Sequence, residues 1–261
     1  MSEATGLSIG RRCRVEVALA ALVGAIGLLV GLHLAGRYLT MGTALRWTTV
    51  SGMVVGFELG YLWTHLDAGR VERAGDRVRR SLGVANVVTL TRGGLYAVVA
   101  GFVVVPPHEP LLWVPAASYG AGAALDWFDG VVARELGRTT ELGTRLDLAF
   151  DTLGFVVAPL VAVVWGRLPV WYLSLSAARY VFKAGVAWRR RRGHPVFALP
   201  ESRVRRPLAA FQMVFITVAL APVLPAGVLR VAAAVALLPS LLVFLRDYLV
   251  VSGRLDGRNA Q

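Results

Sequence analysis

One cysteine, one lysine and four histidines in 261 residues remove several kinds of chemistry before any motif is read. Cys13 has no second cysteine for an intramolecular disulfide or a multi-cysteine metal site. His33, His65, His108 and His194 are scattered without ligand spacing. Charge is also scarce, at 17% of residues against 56% hydrophobic. No internal repeat or low-complexity tract is present, which leaves solenoids and disordered arrays aside. Few charges and a positive mean hydropathy place the chain in the membrane class.

Eight apolar stretches are candidates to cross about 30 Å of hydrocarbon. They are Val15 to Ala35, Trp47 to Leu66, Val87 to Val105, Leu111 to Leu125, Leu146 to Trp165, Val170 to Trp188, Leu208 to Leu224 and Val228 to Val251. The first is 21 residues long and follows Arg11, Arg12 and Arg14. It exceeds a signal-peptide core of about 7 to 15 residues and no clear A-x-A site follows, so a retained helix is expected. Only helices or closed barrels satisfy backbone polar groups in lipid, and runs of this length exclude barrel strands. The expected fold is an all-α polytopic membrane bundle of about eight spans.

The net charge of +12 rests on 27 arginines and one lysine. Their positions argue for topology rather than nucleic acid. Arginines crowd the N-terminus and residues 70–80, 134–145, 189–206 and 246–258, whereas the intervening connections hold few. That alternation predicts an even number of spans with both termini in the cytoplasm, the basic loops lying against anionic lipid headgroups. Trp47, Trp113, Trp165 and Trp188 near span ends fit an aromatic belt. Residues 67–85 mix Arg70, Glu72, Arg73, Asp76, Arg77, Arg79 and Arg80 with Val71, Val78 and Leu82, which predicts a short helix along the cytoplasmic interface.

Against this oily background, residues 126–151 hold Asp126, Asp129, Asp147 and Asp151, at spacings of three, eighteen and four. A charge at the bilayer centre costs about 2.5 to 3.5 kcal/mol, and such residues mark ion or substrate sites. Residues three or four apart share a helix face, so each pair projects together, one pair at the end of the fourth span and the other at the start of the fifth. Both pairs are expected near the cytoplasmic margin. Crowded carboxylates repel unless a cation intervenes. Oxygen ligands suit Mg²⁺ or Mn²⁺, Mg²⁺ shares its coordination with substrate phosphates, and no histidine in the window supports zinc. Gly130, Ala133 and Gly143 lie one turn from these aspartates. They let helices approach closely and equally leave room for a flat group such as a nucleobase. Arg134 is placed to pair with a carboxylate or a phosphate oxygen.

Residues 126–151 match, without a gap, the signature D-x-x-D-G-x-x-A-R-x(8)-G-x-x-x-D-x-x-x-D, and so the chain resembles the CDP-alcohol phosphotransferase (CDP-alcohol phosphatidyltransferase) family. Upstream, Ala85-Asn86-Val87-Val88-Thr89-Leu90-Thr91-Arg92 is similar to the family's P-N-x-L-T-x-x-R, with Ala85 in place of proline. The resemblance implies a six-helix core over 86–261. Two additional spans in 1–66 and the interfacial segment 67–85 fall outside it.

Such enzymes transfer a phosphoalcohol group from a CDP-linked donor to an acceptor hydroxyl and release CMP, with a divalent metal. The resemblance implies Asp126, Asp129 and Asp147 as metal ligands and Asp151 as general base, also touching metal. It implies Asp126, Asn86, Gly130, Ala133, Arg134 and Gly143 at the CDP donor, which would be CDP-diacylglycerol or an archaeal CDP-dialkylglycerol analogue. Arg179, an intramembrane arginine, with Arg203 and Arg205 (beside Arg206) is the candidate set for a phosphate on a small alcohol or phosphoalcohol acceptor, although Ser202 to Pro207 departs from the family's G-K-x-K-T-like segment. Members commonly form homodimers, so that arrangement stays open. A membrane prenyltransferase also uses aspartates and Mg²⁺, but its clusters lie much farther apart and lack D-G-x-x-A-R. A divalent-cation transporter would favour acidic groups near the midplane and repeated halves. Glu58 receives no role, and Arg246–Asp247 reads as an interfacial pair.

Overall fold

The computed structural model describes residues 3–66, 83–136, 141–199 and 202–255, with side chains over 14–66, 86–128, 142–199 and 202–255. All regular elements among the described residues are helical. The α-helices are α1 (Glu3–Gly36), α2 (Met41–His65), α3 (Gly83–Gly101), α4 (Val114–Leu136), α5 (Glu141–Val164), α6 (Ser174–Arg191), α7 (Arg205–Leu220) and α8 (Ala226–Val251). Short 3₁₀ turns cover Phe102–Val104, Glu109–Leu111 and Val170–Leu173. The chain is an all-α polytopic membrane bundle, as its composition requires. Most of the interfacial segment expected at 67–85 lies outside the described residues, and α3 begins at Gly83, ahead of the expected core boundary at 86.

Four helices are long and apolar enough on their own to cross a membrane, over Arg14–Gly36, Asn86–Val104, Leu142–Val164 and Ala226–Val251. The other four expected spans also form helices, but length and composition do not single them out. α2 carries Arg46 and Glu58, α4 carries the aspartates, α6 ends in Arg189, Arg190 and Arg191, and α7 has 16 residues. Where charge serves a site or an interface, hydropathy alone no longer marks the span.

Contacts divide the chain into two compact units, Met1–Val157 and Ala158–Gln261. In the first, α1 packs on α2, and α3 packs on α2 and α4. Thr40 starts α2 by accepting the Thr43 backbone N–H at 3.3 Å, an N-cap bond. The α2–α3 seam is close because α3 offers glycines to it. A Cβ on Gly93 would stand 2.7 Å from the Glu58 carboxyl, and one on Gly101 would stand 2.5 Å from Ser51 Oγ and 2.4 Å from the Trp47 ring. Glu58 is thereby buried against α3, which its sequence context did not indicate. On α5, Leu142, Leu146 and Phe150 follow a four-residue interval and bury against Val17 of α1 and Leu62 of α2. The two N-terminal helices thus pack directly on α3 and α5.

In the second unit, α8 packs on α6 and α7. Their apolar contact is stitched by one amide. Tyr172 OH donates to Gln212 Oε1 at 2.5 Å, and Gln212 Nε2 reaches the Ala236 carbonyl at 2.5 Å and Ser240 Oγ at 2.7 Å. Small and polar groups of this kind hold helices together where the hydrophobic effect between them is weak. α5 and α8 each close with a left-handed glycine, Gly166 at φ 68° and Gly253 at φ 71°. Arg167 N–H then reaches back to the Ala162 carbonyl and Arg254 N–H to that of Leu249. Arg167 also donates to the Ala219 and Ala221 carbonyls at the end of α7, at 3.1 and 2.5 Å.

Gln212→Leu should lower stability by about 1 to 3 kcal/mol, because it leaves the Tyr172 hydroxyl and the Ser240 oxygen without their shared partner. Thermal unfolding in detergent measures this, and an unchanged midpoint would contradict it.

Candidate active site

Three helices of the first unit build the site. On α3, Asn86, Thr89, Arg92 and Tyr96 recur at intervals of three, three and four, which puts them along one face. That polar face is buried: the four residues are 4%, 2%, 0% and 1% exposed. α4 brings Asp126, with Gly122 one turn before it, and α5 brings Asp147 and Asp151, with Gly154 one turn after.

The Arg92 guanidinium gathers the acids. Its Nη1 donates to Asp147 Oδ1 at 2.5 Å and stands 2.8 Å from Asp126 Oδ1, while Nη2 donates to Asp151 Oδ1. The arginine side chain is fully buried, whereas those of Asp126, Asp147 and Asp151 remain 32%, 43% and 26% exposed. The guanidinium therefore lies beneath a rim of carboxylates that stays open. One ligand oxygen from each of the three lies within 4.8 Å of the others. An all-oxygen set at this spacing fits a hard divalent cation such as Mg²⁺ or Mn²⁺.

One helical turn deeper, Tyr96 seals the layer. Its ring is pressed between α4 and α5, so that a Cβ on Gly122 would come 2.6 Å from Cε1 and one on Gly154 2.8 Å from Cε2. The Tyr119 ring lies 5.6 Å away on α4. The glycines are what let three helices meet around one aromatic ring directly below three acids.

Of the site residues expected from sequence, Asp126, Asp147 and Asp151 come together. Asp129, Gly130, Ala133 and Arg134 belong to α4, and their side chains lie outside the described residues. Gly143 is half-buried one turn before Asp147, and Asn86 is buried on the Arg92 face. The acceptor candidates all lie in the second unit. Arg179 is half-buried on α6, Arg203 is exposed before α7, and Arg205 opens α7.

Arg205 is held by Asp247, the acid expected to pair with Arg246 at the interface. Its Nε donates to Asp247 Oδ2 at 2.7 Å, and Arg246 Nη2 donates to Asp247 Oδ1 at 2.9 Å. Asp247 is buried, so the expected Arg246–Asp247 neighbour pair also ties the start of α7 to α8. Arg92 closes the upstream Ala85 to Arg92 motif, whose resemblance assigns it no role at the site. The 86, 89, 92 and 96 interval was the available signal, because it puts one arginine on the same face as the motif's asparagine and threonine.

The family model for CDP-alcohol phosphatidyltransferases matches residues 82–245, more than half of the chain, and includes all of these site helices. The chain belongs to this family. Among its relatives, the CDP-diacylglycerol–glycerol-3-phosphate 3-phosphatidyltransferase of Yersinia enterocolitica is 33% identical over 103 residues, which cover 38% of this chain and 53% of that protein. A Mycobacterium bovis protein named as a cardiolipin synthase is 33% identical over 106 residues, covering 41% of this chain and 49% of its own. The chain thus spans about half the length of the curated relatives it matches. No solved structure matches it.

Gly154→Ala should drive a methyl group into the Tyr96 ring and cost about 1 to 3 kcal/mol, as overpacking does in dense cores. The expected readout is a lower unfolding midpoint that Tyr96→Leu partly restores in the double variant. Additive effects of the two substitutions would contradict the contact.

Proposed function

We propose that this family member is an integral-membrane transferase that moves a phosphatidyl-type group from a CDP-alcohol to an acceptor hydroxyl, releasing CMP, in phospholipid synthesis. The observation that carries the reading is the convergence of Asp126, Asp147 and Asp151, three signature positions from two helices, on one cation-sized centre. The names of the relatives support CDP-diacylglycerol as donor.

In this reading Asp126, Asp129 and Asp147 hold the divalent ion, Mg²⁺ or Mn²⁺, and Asp151 both touches the ion and serves as general base. When bound, the ion neutralises the diphosphate and stabilises departing CMP. The acceptor oxygen forms a bond to the phosphorus that carries the lipid alcohol, and the bond from that phosphorus to the CMP oxygen breaks. The acceptor proton passes to the Asp151 carboxylate, a role in which a positioned base contributes about 10² to 10⁴ in rate. Asn86, Gly130, Ala133, Arg134 and Gly143 line the cytidine diphosphate. Charge stabilisation and positioning are the main demands of phosphoryl transfer.

For the acceptor, one relative's name gives glycerol 3-phosphate, and a phosphorylated alcohol is a natural partner for Arg179, Arg203 and Arg205. The alternation of arginine-rich and arginine-poor connections supports a site on the cytoplasmic side with both termini in the cytoplasm. A homodimer is part of the proposal through the family's habit alone.

Purified protein with Mg²⁺ or Mn²⁺ and CDP-diacylglycerol should release CMP when offered glycerol phosphate, inositol phosphate, serine or other alcohols in turn. Asp151→Asn should abolish turnover while keeping donor binding, and Asp126→Asn should weaken metal binding by about tenfold or more. No CMP from any pair, together with cation flux into liposomes, would replace the transferase by a transporter.

A further inference from the structure

We infer that Arg92 is a positioning residue of the metal centre, a fixed cationic floor that binds one oxygen of each of three aspartates from the buried side and leaves the open side to the cation. The inference rests on the reading of Asp126, Asp147 and Asp151 as metal ligands. It goes beyond that reading by assigning their arrangement to a residue outside the 126–151 signature.

Three observations carry it. First, one guanidinium reaches all three acids: Nη1 meets Oδ1 of Asp126 and Oδ1 of Asp147, and Nη2 meets Oδ1 of Asp151. Second, burial is asymmetric. The arginine side chain has no exposure while the three acids keep between 26% and 43%, so the acids open away from the side that Arg92 occupies. Third, the arginine has little room to withdraw, because Tyr96 fills the next turn of its face between Gly122 and Gly154.

Charge points the same way. The three carboxylates that Arg92 gathers, joined in the same reading by Asp129, outnumber the single guanidinium, so the acids keep a net negative charge for a divalent cation. A planar fork is also the side chain able to hold three carboxylates from two helices at fixed angles, which an ammonium on a flexible stem cannot do. The competing arrangement is a guanidinium that occupies the cation's own place and must leave. It predicts the opposite sign in the experiment below, because removing a competing cation strengthens metal binding.

The test is Mn²⁺ binding to the full chain in nanodiscs, read from the electron paramagnetic resonance signal of free Mn²⁺, for wild type, Arg92→Lys and Arg92→Gln. A positioning floor predicts that both variants bind Mn²⁺ on the order of tenfold more weakly, with Lys losing less than Gln because it keeps the charge. Equal or tighter binding by either folded variant overturns the inference and leaves the metal centre standing. A wild-type chain that binds no Mn²⁺, or binds it equally after Asp126→Asn, overturns the metal-centre reading and the inference with it.

If neither variant folds, Mn²⁺-induced infrared difference spectra of wild type carrying ¹³C-guanidino arginine decide the same point. Shifted carboxylate bands with unshifted guanidinium bands support a floor that stays in place. A shift of the labelled bands to a freed guanidinium overturns it.

Discussion

A guanidinium buried among three carboxylates is the interaction around which the first unit is arranged. Neither partner is tolerable alone at that depth. An arginine without exposure must be compensated, and removing one member of a buried ion pair generally costs about 3 to 5 kcal/mol. The carboxylates here keep contact with the open side, which moderates that figure. Because Arg92 is on α3, Asp126 on α4 and Asp147 with Asp151 on α5, satisfying these charges fixes how the three helices meet. The layer below answers the same demand without charge, since one tyrosine fills the space that two glycines leave.

The N-terminal helices take part in this arrangement. Val17 and Leu62 pack on Leu142, Leu146 and Phe150, the face of α5 that neighbours the one presenting Asp147 and Asp151. Glu58, Ser51 and Trp47 of α2 lie along the glycine side of α3. The segment outside the family match therefore supports two of the three helices that carry the site.

The acid window was legible in sequence because every element of it is local. Spacings of three and four place side chains on a helix face, and carboxylates in apolar surroundings call for a cation. The helical class was legible for the same reason, since periodicity and hydropathy are properties of short windows. The part Arg92 plays among the acids was not legible, because its partners lie 34 to 59 residues away and its meaning depends on which helices become neighbours. The same holds for Asp247, which looked like a companion of Arg246 and proves also to hold Arg205 from 42 residues away. Hydropathy marks a span least clearly where a helix carries charge: α4 holds the aspartates and α6 ends in three arginines, so composition understates both.

Gly122, Tyr96 and Gly154 belong to three different helices yet share one small volume. Drift at any one of them is constrained by the other two. Alanine in place of either glycine crowds the ring, and a slimmer side chain at the position of Tyr96 relieves that crowding. A change at one of these three positions is therefore eased by a change at another. Such linked variation in an apolar layer would mark the depth of the site in relatives whose own acids are harder to align.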